Sequence, residues 1–409
     1  MDKTLKIAVI GGGASGFFAA LSAKDENPNC ELVIFEKSNK LLSKVKISGG
    51  GRCNVTHNLF DIQALSKKYP RGENQLRKLF HQFDAQSTID WFAQRGVALE
   101  AINDGCIFPV ANTSQVVIDC FLNEAKKHSI AIRLSQNITS LERKDLGWEI
   151  QSNAESHYFD KVILAFGGHP KLSSYAMASA MGIKLITPVP SLFTFNMPNE
   201  SIKSLMGVVV EDAIARVEGT KLIGRGPLLI THWGMSGPSV LMLSAWGARE
   251  LGRKSYNVNC LVNWLGATTE NQARLVLDNF IKLHPLKKIA NVYPGGIPSR
   301  LWIYLLSKIT ENTELQWQDL KGKTYNKLVN TLINDSYKVE GKTTFKEEFV
   351  TAGGIDLSEV NLKTMELKNL PGIYACGEVL DLDGITGGFN FQSAWTTGYV
   401  AGKNASTVL

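Results

Sequence analysis

The sequence predicts an α/β fold with a buried parallel sheet, and three observations support this prediction. An apolar run over 5–10 leads into a glycine-rich turn and then into a helical pattern. A second apolar run, at 161–165, ends in a pair of glycines, and a third, at 373–375, leads into another glycine loop and helix. Apolar runs of this length, each ended by glycine, are typical of strands buried on both faces. We therefore expect the two ends of the chain to belong to one domain.

The first glycine-rich turn carries the spacing Gly11-x-Gly13-x-x-Gly16, and a strand at 31–35 then ends at Glu36. The first glycine allows a tight turn, the second lets backbone amides approach a pyrophosphate, and the third lets helix and strand pack closely. A carboxylate at the end of the second strand accepts hydrogen bonds from a ribose diol and repels a 2′-phosphate. The motif therefore predicts a site for FAD or NAD rather than NADP. A tight turn without a ligand is the alternative, but it leaves Glu36 without a role.

A second strand, glycine loop and helix follow near the C-terminus. The strand at 373–375 runs into Gly377 and Glu378, and a loop at 384–388 precedes a helix that we expect to begin near Phe391. The positive N-terminal end of such a helix stabilises negative charge. In flavoproteins similar to glutathione reductase, a unit like this one closes the FAD site. A docking helix with a glycine-rich cap is the alternative.

The composition argues against several classes of protein. The chain has 409 residues, and no apolar run approaches the ~18 residues of a membrane span. The strand pattern starts by Leu5, so we expect no signal peptide. Six singly scattered cysteines are typical of a cytosolic protein, and no metal-ligand spacing is present. The net charge of +6 comes from bases dispersed among acids, which favours a solvated surface over a nucleic-acid surface.

Further strings make nearly the whole chain resemble one bacterial family. They are SGGGRCN at 48–54, THWGMSGP at 231–238, TAGG at 351–354, and GEVLD with GGFN within 377–390. In this order they resemble the BaiN-like or YhiN-like NAD(P)/FAD-dependent oxidoreductases, which include aminoacetone oxidases. The resemblance implies a Rossmann-like FAD-binding domain of the glutathione-reductase type, with a three-layer ββα architecture. It also implies an inserted domain that is β-barrel-like in one part and helical in another.

The resemblance implies which residues hold FAD. Residues 48–54 would form a loop along the cofactor, where glycines let the backbone approach and Arg52 binds cofactor or substrate oxygens. Cys53 is expected to pack rather than react, because no second cysteine is near it in sequence. Lys44 is expected near the adenosine end, and the backbone of Ile138 near adenine. The full set of expected cofactor-binding residues is Gly11, Gly13, Ala14, Ser15, Gly16, Glu36, Lys37, Lys44, Ser48, Gly49, Gly50, Arg52, Cys53, Asn54, Ile138, Gly167, Gly168, Gly377, Glu378, Gly388, Phe389 and Asn390.

The chain is expected to divide into two domains. Residues 1–190 and 345–409 would form a discontinuous FAD-binding domain. Residues 191–344 would form an inserted domain that covers the flavin, β-rich over 191–265 and helical over 268–336. The inserted block has no second glycine motif with an acid after the next strand, so a dedicated NAD(P) domain is not expected.

The expected function is that of a cytoplasmic FAD-dependent oxidoreductase. Hydride would pass between a small organic substrate and flavin N5, with transiently bound NAD(P)H or oxygen completing the cycle. His232 and Arg52 are the candidate catalytic residues. His232 would face the substrate pocket as an acid or base, or would only order a strand-to-helix turn.

Two alternatives remain open for the function. One is a tRNA-modifying flavoenzyme, against which the sequence shows no basic stripe with interleaved aromatics. The other is a flavin-binding redox sensor without catalysis. We expect neither a metal nor a membrane partner, and the oligomeric state is not predicted.

Overall fold

A computed structural model describes residues 4–152, 155–266, 269–312, 314–343 and 350–407. The described residues of 1–190 and 345–409 form one compact unit, and those of 191–344 form a second. The expected boundaries at 268 and 345 lie outside the described residues.

The strands of the described residues belong to several separate sheets. In chain order they are β1 (Lys6–Ile10), β2 (Glu31–Phe35), β3 (Thr56–His57), β4 (Leu99–Ala101), β5 (Cys106–Pro109), β6 (Ala131–Arg133), β7 (Ser140–Lys144), β8 (Gly147–Gln151), β9 (Ser156–Phe159), β10 (Lys161–Leu164), β11 (Leu185–Ser191), β12 (Thr194–Asn196), β13 (Val209–Val217), β14 (Ile223–Ile230), β15 (Gly234–Ser236), β16 (Asn257–Asn263), β17 (Asp335–Glu340), β18 (Lys342–Thr343), β19 (Val350–Ile355) and β20 (Ile373–Ala375).

The α-helices range from single turns to the long C-terminal helix. They are α1 (Ala14–Glu26), α2 (Ser43–Gly51), α3 (Ile62–Ser66), α4 (Glu73–Leu79), α5 (Ala85–Gln94), α6 (Gln115–Lys127), α7 (Ala176–Ala180), α8 (Pro238–Trp246), α9 (Ala248–Arg253), α10 (Glu270–Leu283), α11 (Ser299–Ser307), α12 (Gly322–Ile333) and α13 (Phe389–Ala405). No helix in the described part of the chain is long and apolar enough to cross a membrane.

The first unit is built on a five-stranded parallel sheet in the order β20-β10-β1-β2-β6. In the central strand β1, Ala8 lies level with Val162 of β10 and with Val33 of β2. Residues 7–9 are fully buried, as their apolar run indicates. The C-terminal strand β20 pairs with β10, so both ends of the chain share this sheet. The α/β fold class predicted from the sequence is confirmed.

Further layers pack on the parallel sheet. The antiparallel meander β7-β8-β9 contacts it through Phe159, whose ring lies 5.8 Å from that of Phe35 in β2. Helices α1 and α13 pack against the sheet and against each other. Phe18 of α1 and Trp395 of α13 lie 5.3 Å apart in an aromatic cluster that includes Trp91.

Helices α1 and α13 run in the same direction and touch backbone to backbone. A Cβ at Gly398 would lie 2.8 Å from the carbonyl oxygen of Ser15, and a Cβ at Gly402 would lie 2.0 Å from that of Ala19. The contacts advance together along both helices, so the helices are parallel. Gly398 lies level with Ser15. Because α13 begins nine residues before Gly398 and α1 begins one residue before Ser15, the N-terminus of α13 extends about 12 Å past that of α1.

The second unit contains a seven-stranded sheet and a group of helices. The strand order is β17-β16-β13-β14-β15-β12-β18. Its two end strands are consecutive in the chain and are separated only by Gly341, which accepts from Asn196 N–H (3.2 Å) and donates to Tyr256 O (2.9 Å). The two ends of the seven-stranded sheet therefore meet, as in a β-barrel. Helices α10, α11 and α12 surround a core that includes Trp302 and Trp317, stacked with ring centroids 5.9 Å apart.

Candidate functional site

The first glycine turn joins β1 to α1 and leaves no room for side chains at two of its positions. A Cβ at Gly11 would lie 2.3 Å from the carbonyl oxygen of Ala165, just after β10. A Cβ at Gly16 would lie 2.0 Å from the carbonyl oxygen of Gly11. Gly13 differs, since a Cβ there would meet nothing within 4 Å. The turn is tight where it faces the protein and open at its centre.

The N-terminus of α1 offers amide groups to a ligand at this opening. Gly13 is the N-cap, no side chain caps the helix, and the first turn contains no acidic residue. The first backbone bond runs from Phe17 N–H to Gly13 O (3.0 Å), so the preceding amides have no acceptor within the helix. Unsatisfied amides and the helix dipole together favour an anion such as a pyrophosphate.

Glu36 lies beside this turn at the end of β2. Its Oε2 accepts from Gly12 N–H and its Oε1 accepts from Ser38 N–H, both at 2.9 Å. Each carboxylate oxygen keeps a lone pair for a further donor. Gln136 N–H donates to Glu36 O (2.9 Å), and Gln136 Oε1 is buried without a hydrogen-bond partner among the described residues. Ile138, two residues further on, is buried. The Glu36 carboxylate and Gln136 Oε1 are therefore acceptors that suit a ribose and an amino-bearing base.

The loop expected at 48–54 begins inside the segment assigned to α2. Residues 43–47 form a helical turn that the sequence did not indicate, and the backbone leaves helical geometry at Ser48 (ψ 149°). Gly49 and Gly50 then adopt left-handed conformations. A Cβ at Gly50 would meet nothing within 4 Å, so one side of this loop is open.

Arg52 and Cys53 are both held by the loop. Arg52 Nε donates to Gly49 O (3.1 Å), and the guanidinium lies over the Phe108 ring, 4.2 Å from its centroid. Cys53 is fully buried, and burial raises the pKa of its thiol to about 12. A neutral, buried thiol is a poor nucleophile, so the environment of Cys53 favours packing over redox chemistry.

The second glycine turn leads into α13. Gly388 is the N-cap in a left-handed conformation (φ 87°), without a side-chain cap, and the helix starts at Phe389, two residues earlier than expected. Asn54 joins this turn to the 48–54 loop: its amide nitrogen donates to Thr56 O (2.9 Å) and its amide oxygen accepts from Gly388 N–H (3.1 Å). His57 Nδ1 donates to Gly387 O (3.1 Å), and burial lowers the pKa of this imidazole.

A charged cluster surrounds Glu378. Lys44 Nζ lies 2.5 Å from Glu378 Oε2, and Thr351 N–H donates to Glu378 Oε1 (2.8 Å). A Cβ at Gly168 would lie 2.8 Å from the Glu378 carboxyl carbon, so this glycine makes room for the acid. Lys37 Nζ lies 3.4 Å from His169 Nε2, and burial, followed by Lys37, lowers the pKa of His169.

The structure therefore brings most of the expected cofactor residues together within the first unit. Lys44 contacts Glu378 of the C-terminal motif, and its expected place near the adenosine end stays a prediction. A Cβ at Gly377 would lie 2.2 Å from Ser15 Oγ, which links the two glycine motifs directly, while Gly167 faces open space. These contacts are compatible with one elongated ligand site, and the role of each residue stays a prediction.

His232 lies in the second unit. It is exposed in the turn between β14 and β15, where its ring meets Trp233 edge-on at 4.5 Å. Trp233 is anchored by a hydrogen bond from its Nε1 to Thr194 Oγ1 (3.0 Å). The proposed acid–base role of His232 stays a prediction.

Sequence reasoning missed several polar residues beside the second glycine turn. Asp383 is fully buried and pairs with Arg71, and Tyr69 donates to Phe389 O (2.7 Å). An acid inside an apolar and glycine-rich stretch was a signal for a buried partner. Nothing local in the sequence identifies that partner more than 300 residues away. Among the described residues, no three His, Cys, Asp or Glu side chains are grouped as metal ligands.

Comparison with known proteins gives a family match over almost the whole chain. A family model described as "HI0933-like protein Rossmann domain" matches residues 5–404. A 3-dehydro-bile acid delta(4,6)-reductase of Clostridium scindens is 27% identical over 409 residues, covering 98% of this chain and 99% of that protein. A ribosomal RNA dihydrouridine synthase of Escherichia coli is 28% identical over 406 residues, covering 97% and 96%.

Solved structures share the fold at low sequence identity. The 3-ketosteroid-delta4-(5alpha)-dehydrogenase of Rhodococcus jostii RHA1 has a TM-score of 0.51 at 11% identity. The alignment covers 100% of this chain and 98% of that one. At this identity the likeness concerns the architecture alone.

Proposed function

The chain belongs to the HI0933-like Rossmann-domain family and is a FAD-dependent oxidoreductase, and from this premise we propose that it reduces carbon–carbon double bonds conjugated to a carbonyl group. The support for this reaction is a bond type that the names of two relatives have in common. A delta(4,6)-reductase acting on a 3-dehydro-bile acid and a dihydrouridine synthase both act, by their names, on a double bond conjugated to a carbonyl. The two substrates differ greatly in size, so the common element is the bond reduced.

The residues of the first unit fit FAD. The uncapped N-terminus of α1 suits the pyrophosphate, and the paired acceptors of Glu36 suit the adenosine ribose. Two buried oxygens have no partner among the described residues: Gln136 Oε1, on the residue whose N–H binds Glu36 O, and Thr351 Oγ1, on the residue whose N–H binds Glu378. The N-terminus of α13, displaced by about 12 Å from that of α1, suits the flavin. An elongated dinucleotide matches this offset.

The chain's own groups would stabilise charge on the flavin and orient the cofactor or substrate. FAD, when bound, supplies two-electron transfer at its ring. The amide groups at the start of α13 would stabilise negative charge there, because the helix dipole is positive at that end and its first turn contains no acid. Arg52 would bind an oxygen of cofactor or substrate, and its position over Phe108 limits its freedom. Saturation of the double bond adds a hydride to one carbon and a proton to the other.

The proposal can be tested by an oxygen-free reaction with a steroid 4-en-3-one. Purified protein loaded with FAD is first titrated with NADH and with NADPH while the visible flavin bands are followed. The enone is then added, and the product is analysed by mass spectrometry. We expect prompt bleaching by one nicotinamide, return of the bands with the enone, and a product heavier by two hydrogen atoms. A flavin that bleaches but is never reoxidised by enones or by RNA contradicts the proposed reaction.

RNA is the second candidate substrate, and the charge distribution favours it. Residues 191–344 contain 18 Lys and Arg against 12 Asp and Glu, while the rest of the chain contains 26 of each. The whole net charge of +6 therefore belongs to the second unit. Such an excess attracts phosphate backbones. Conversion of uridine in ribosomal RNA, with no conversion of the steroid enone, would assign the enzyme to this substrate.

We also propose a cytoplasmic location. All six cysteines are buried and unpaired by disulfides, which is typical of proteins in a reducing compartment.

A further inference from the structure

We propose that Arg71 and Tyr69 are positioning residues for the flavin, because they fix the loop that leads into α13. This role rests on the proposed FAD site, and it concerns how strongly that site favours reduced over oxidised FAD. We call the contact between residues 68–72 and residues 382–389 the clasp. Arg71 and Tyr69 both lie outside the glycine motifs.

The clasp begins with backbone contacts. Arg71 forms an isolated antiparallel bridge with Asp383. Ile385 N–H donates to Lys68 O (3.0 Å). A Cβ at Gly72 would lie 1.9 Å from Leu382 Cδ2, so the two segments touch closely at this end. These contacts hold the start of the glycine loop against the 68–72 segment.

An ion pair reinforces the backbone contacts. Arg71 donates through Nε to Asp383 Oδ1 and through Nη2 to Asp383 Oδ2. The Asp383 side chain is 0% exposed and that of Arg71 is 11% exposed. A two-point contact between guanidinium and carboxylate fixes direction as well as distance. Water does not compete for a buried carboxylate, so removal of Arg71 would leave its charge uncompensated.

Tyr69 connects the clasp directly to helix α13. Its side chain is fully buried, and its hydroxyl donates to the carbonyl oxygen of Phe389, the first residue of α13 (2.7 Å). The Tyr69 and Phe389 rings meet edge to face at 6.1 Å. Asn390 closes the loop by accepting from Gly384 N–H (2.9 Å) and donating to Gly384 O (3.0 Å).

The glycine turn is therefore held from two sides. Asn54 and His57 bind Gly388 and Gly387 from one side, and the clasp binds Asp383, Ile385 and Phe389 from the other. Stabilisation of charge by helix amides falls off within the first turn, so it depends on where that turn lies. Reduction adds negative charge to the flavin, whereas the oxidised ring is neutral. Loosening the clasp should therefore weaken binding of reduced FAD more than binding of oxidised FAD.

The test measures both affinities in Arg71→Met, Arg71→Lys and Tyr69→Phe. The affinity for oxidised FAD is obtained from quenching of flavin fluorescence, and the midpoint potential from equilibration with reference dyes. For Arg71→Met we expect reduced FAD to lose about tenfold more affinity than oxidised FAD. That ratio lowers the two-electron potential by about 30 mV. Tyr69→Phe should give a smaller shift in the same direction, and Arg71→Lys should restore part of the loss.

Arg95→Met is the matched control. Arg95 is also in the first unit, its side chain is 12% exposed, and it is paired with Asp25 at 2.7 Å, but it is the C-cap of α5, and its ion-pair partners Asp25 and Glu124 are not part of the clasp. It should leave the potential unchanged even if it lowers stability.

The outcomes separate this inference from the proposed function. If wild-type protein binds no FAD, the FAD site and the clasp role fall together. If wild type binds FAD and every folded clasp variant keeps its potential within error of Arg95→Met, only the clasp role is wrong. Should Arg71→Met fail to fold, Tyr69→Phe decides the question, because it removes one hydroxyl and no charge.

Discussion

The two glycine turns of the first unit end at uncapped helix N-termini, but they are held in place in different ways. The turn before α1 is confined by backbone atoms, since the obstacle to a side chain at Gly16 is the carbonyl oxygen of Gly11 and the obstacle at Gly11 is that of Ala165. The turn before α13 is shaped by residues from the other end of the chain, among them Asn54, Tyr69 and Arg71. The first turn is confined mainly by backbone atoms, and the second is held mainly by side chains that are distant in the sequence.

This difference sets what each turn can do. A turn fixed by its own backbone tolerates few substitutions and serves a constant ligand group such as a pyrophosphate. A turn fixed by side chains can be moved slightly by changing its partners. We therefore expect mutations at the confined positions of the first turn, Gly11 and Gly16, to act mainly on folding, and mutations around the second turn to act on both folding and flavin properties.

The largest effect is expected for Gly16→Ala. The new methyl group would lie 2.0 Å from Gly11 O, and neither backbone segment can retreat without disturbing β1 or α1. We expect a loss of about 4 kcal/mol in the free energy of unfolding, measured by urea denaturation. Gly13→Ser is the matched control, because position 13 is open and serine is a good N-cap. A change under about 1 kcal/mol for Gly16→Ala would show that the turn is not locally constrained.

Gly388→Ala should have the next largest effect. Its φ of 87° is unfavourable for alanine, and the methyl group would lie 2.6 Å from Thr56 O. Together these predict a loss of about 3 kcal/mol in unfolding free energy. Gly50→Ala shares the positive φ but has open space, so it should cost only about 1–2 kcal/mol. Equal losses for the two variants would mean that Thr56 does not confine the second turn.

Asn54→Ala tests the link between the 48–54 loop and the second turn. The substitution removes the acceptor of Gly388 N–H and the donor to Thr56 O, which should cost about 1–2 kcal/mol of stability. Asn137→Ala, at an exposed asparagine of the same unit, should be neutral. Thermal unfolding of the two variants side by side gives the comparison. A neutral Asn54→Ala would remove this residue from the support of the turn.

The smallest effect is expected from thiol alkylation. Burial raises the pKa of Cys53 to about 12, so its reactive thiolate is scarce at neutral pH and increases only as the pH rises towards that value. Native protein treated with iodoacetamide near pH 7 should stay unlabelled at Cys53 by mass spectrometry, and the same protein in urea should be labelled. Rapid labelling of native Cys53 would reopen a redox role.

The difference between the two turns also explains which parts of the site could be predicted from the sequence. The first turn, Glu36 and the strand before each motif could be predicted because the residues that matter are close together in the sequence. The family and FAD dependence followed from SGGGRCN and the other strings, and both are confirmed. The partners of the second turn could not be predicted, because Tyr69 and Asp383 carry no motif and meet only after folding. The placement of Lys44 beside Glu378 depends in the same way on distant segments.

The role of the second unit is the least accessible from the sequence. Its strands and helices are regular, and its positive charge can be counted. His232 and the lysines show no spacing that distinguishes a small-molecule pocket from a nucleic-acid surface. Substrate assays with a steroid enone and with RNA decide that question.

The most direct test of the account is FAD binding by Gly13→Asp. A side chain at this position meets nothing within 4 Å, and aspartate is a favourable N-cap, so the apo protein should fold with unchanged or slightly higher stability. Its carboxylate would nevertheless occupy the end of α1 where the pyrophosphate is expected. We predict that FAD affinity, measured by titration against wild type and Gly13→Asn, falls about 100-fold or more, with the larger loss for aspartate. A folded Gly13→Asp protein that binds FAD as tightly as wild type would contradict the placement of the cofactor on this turn.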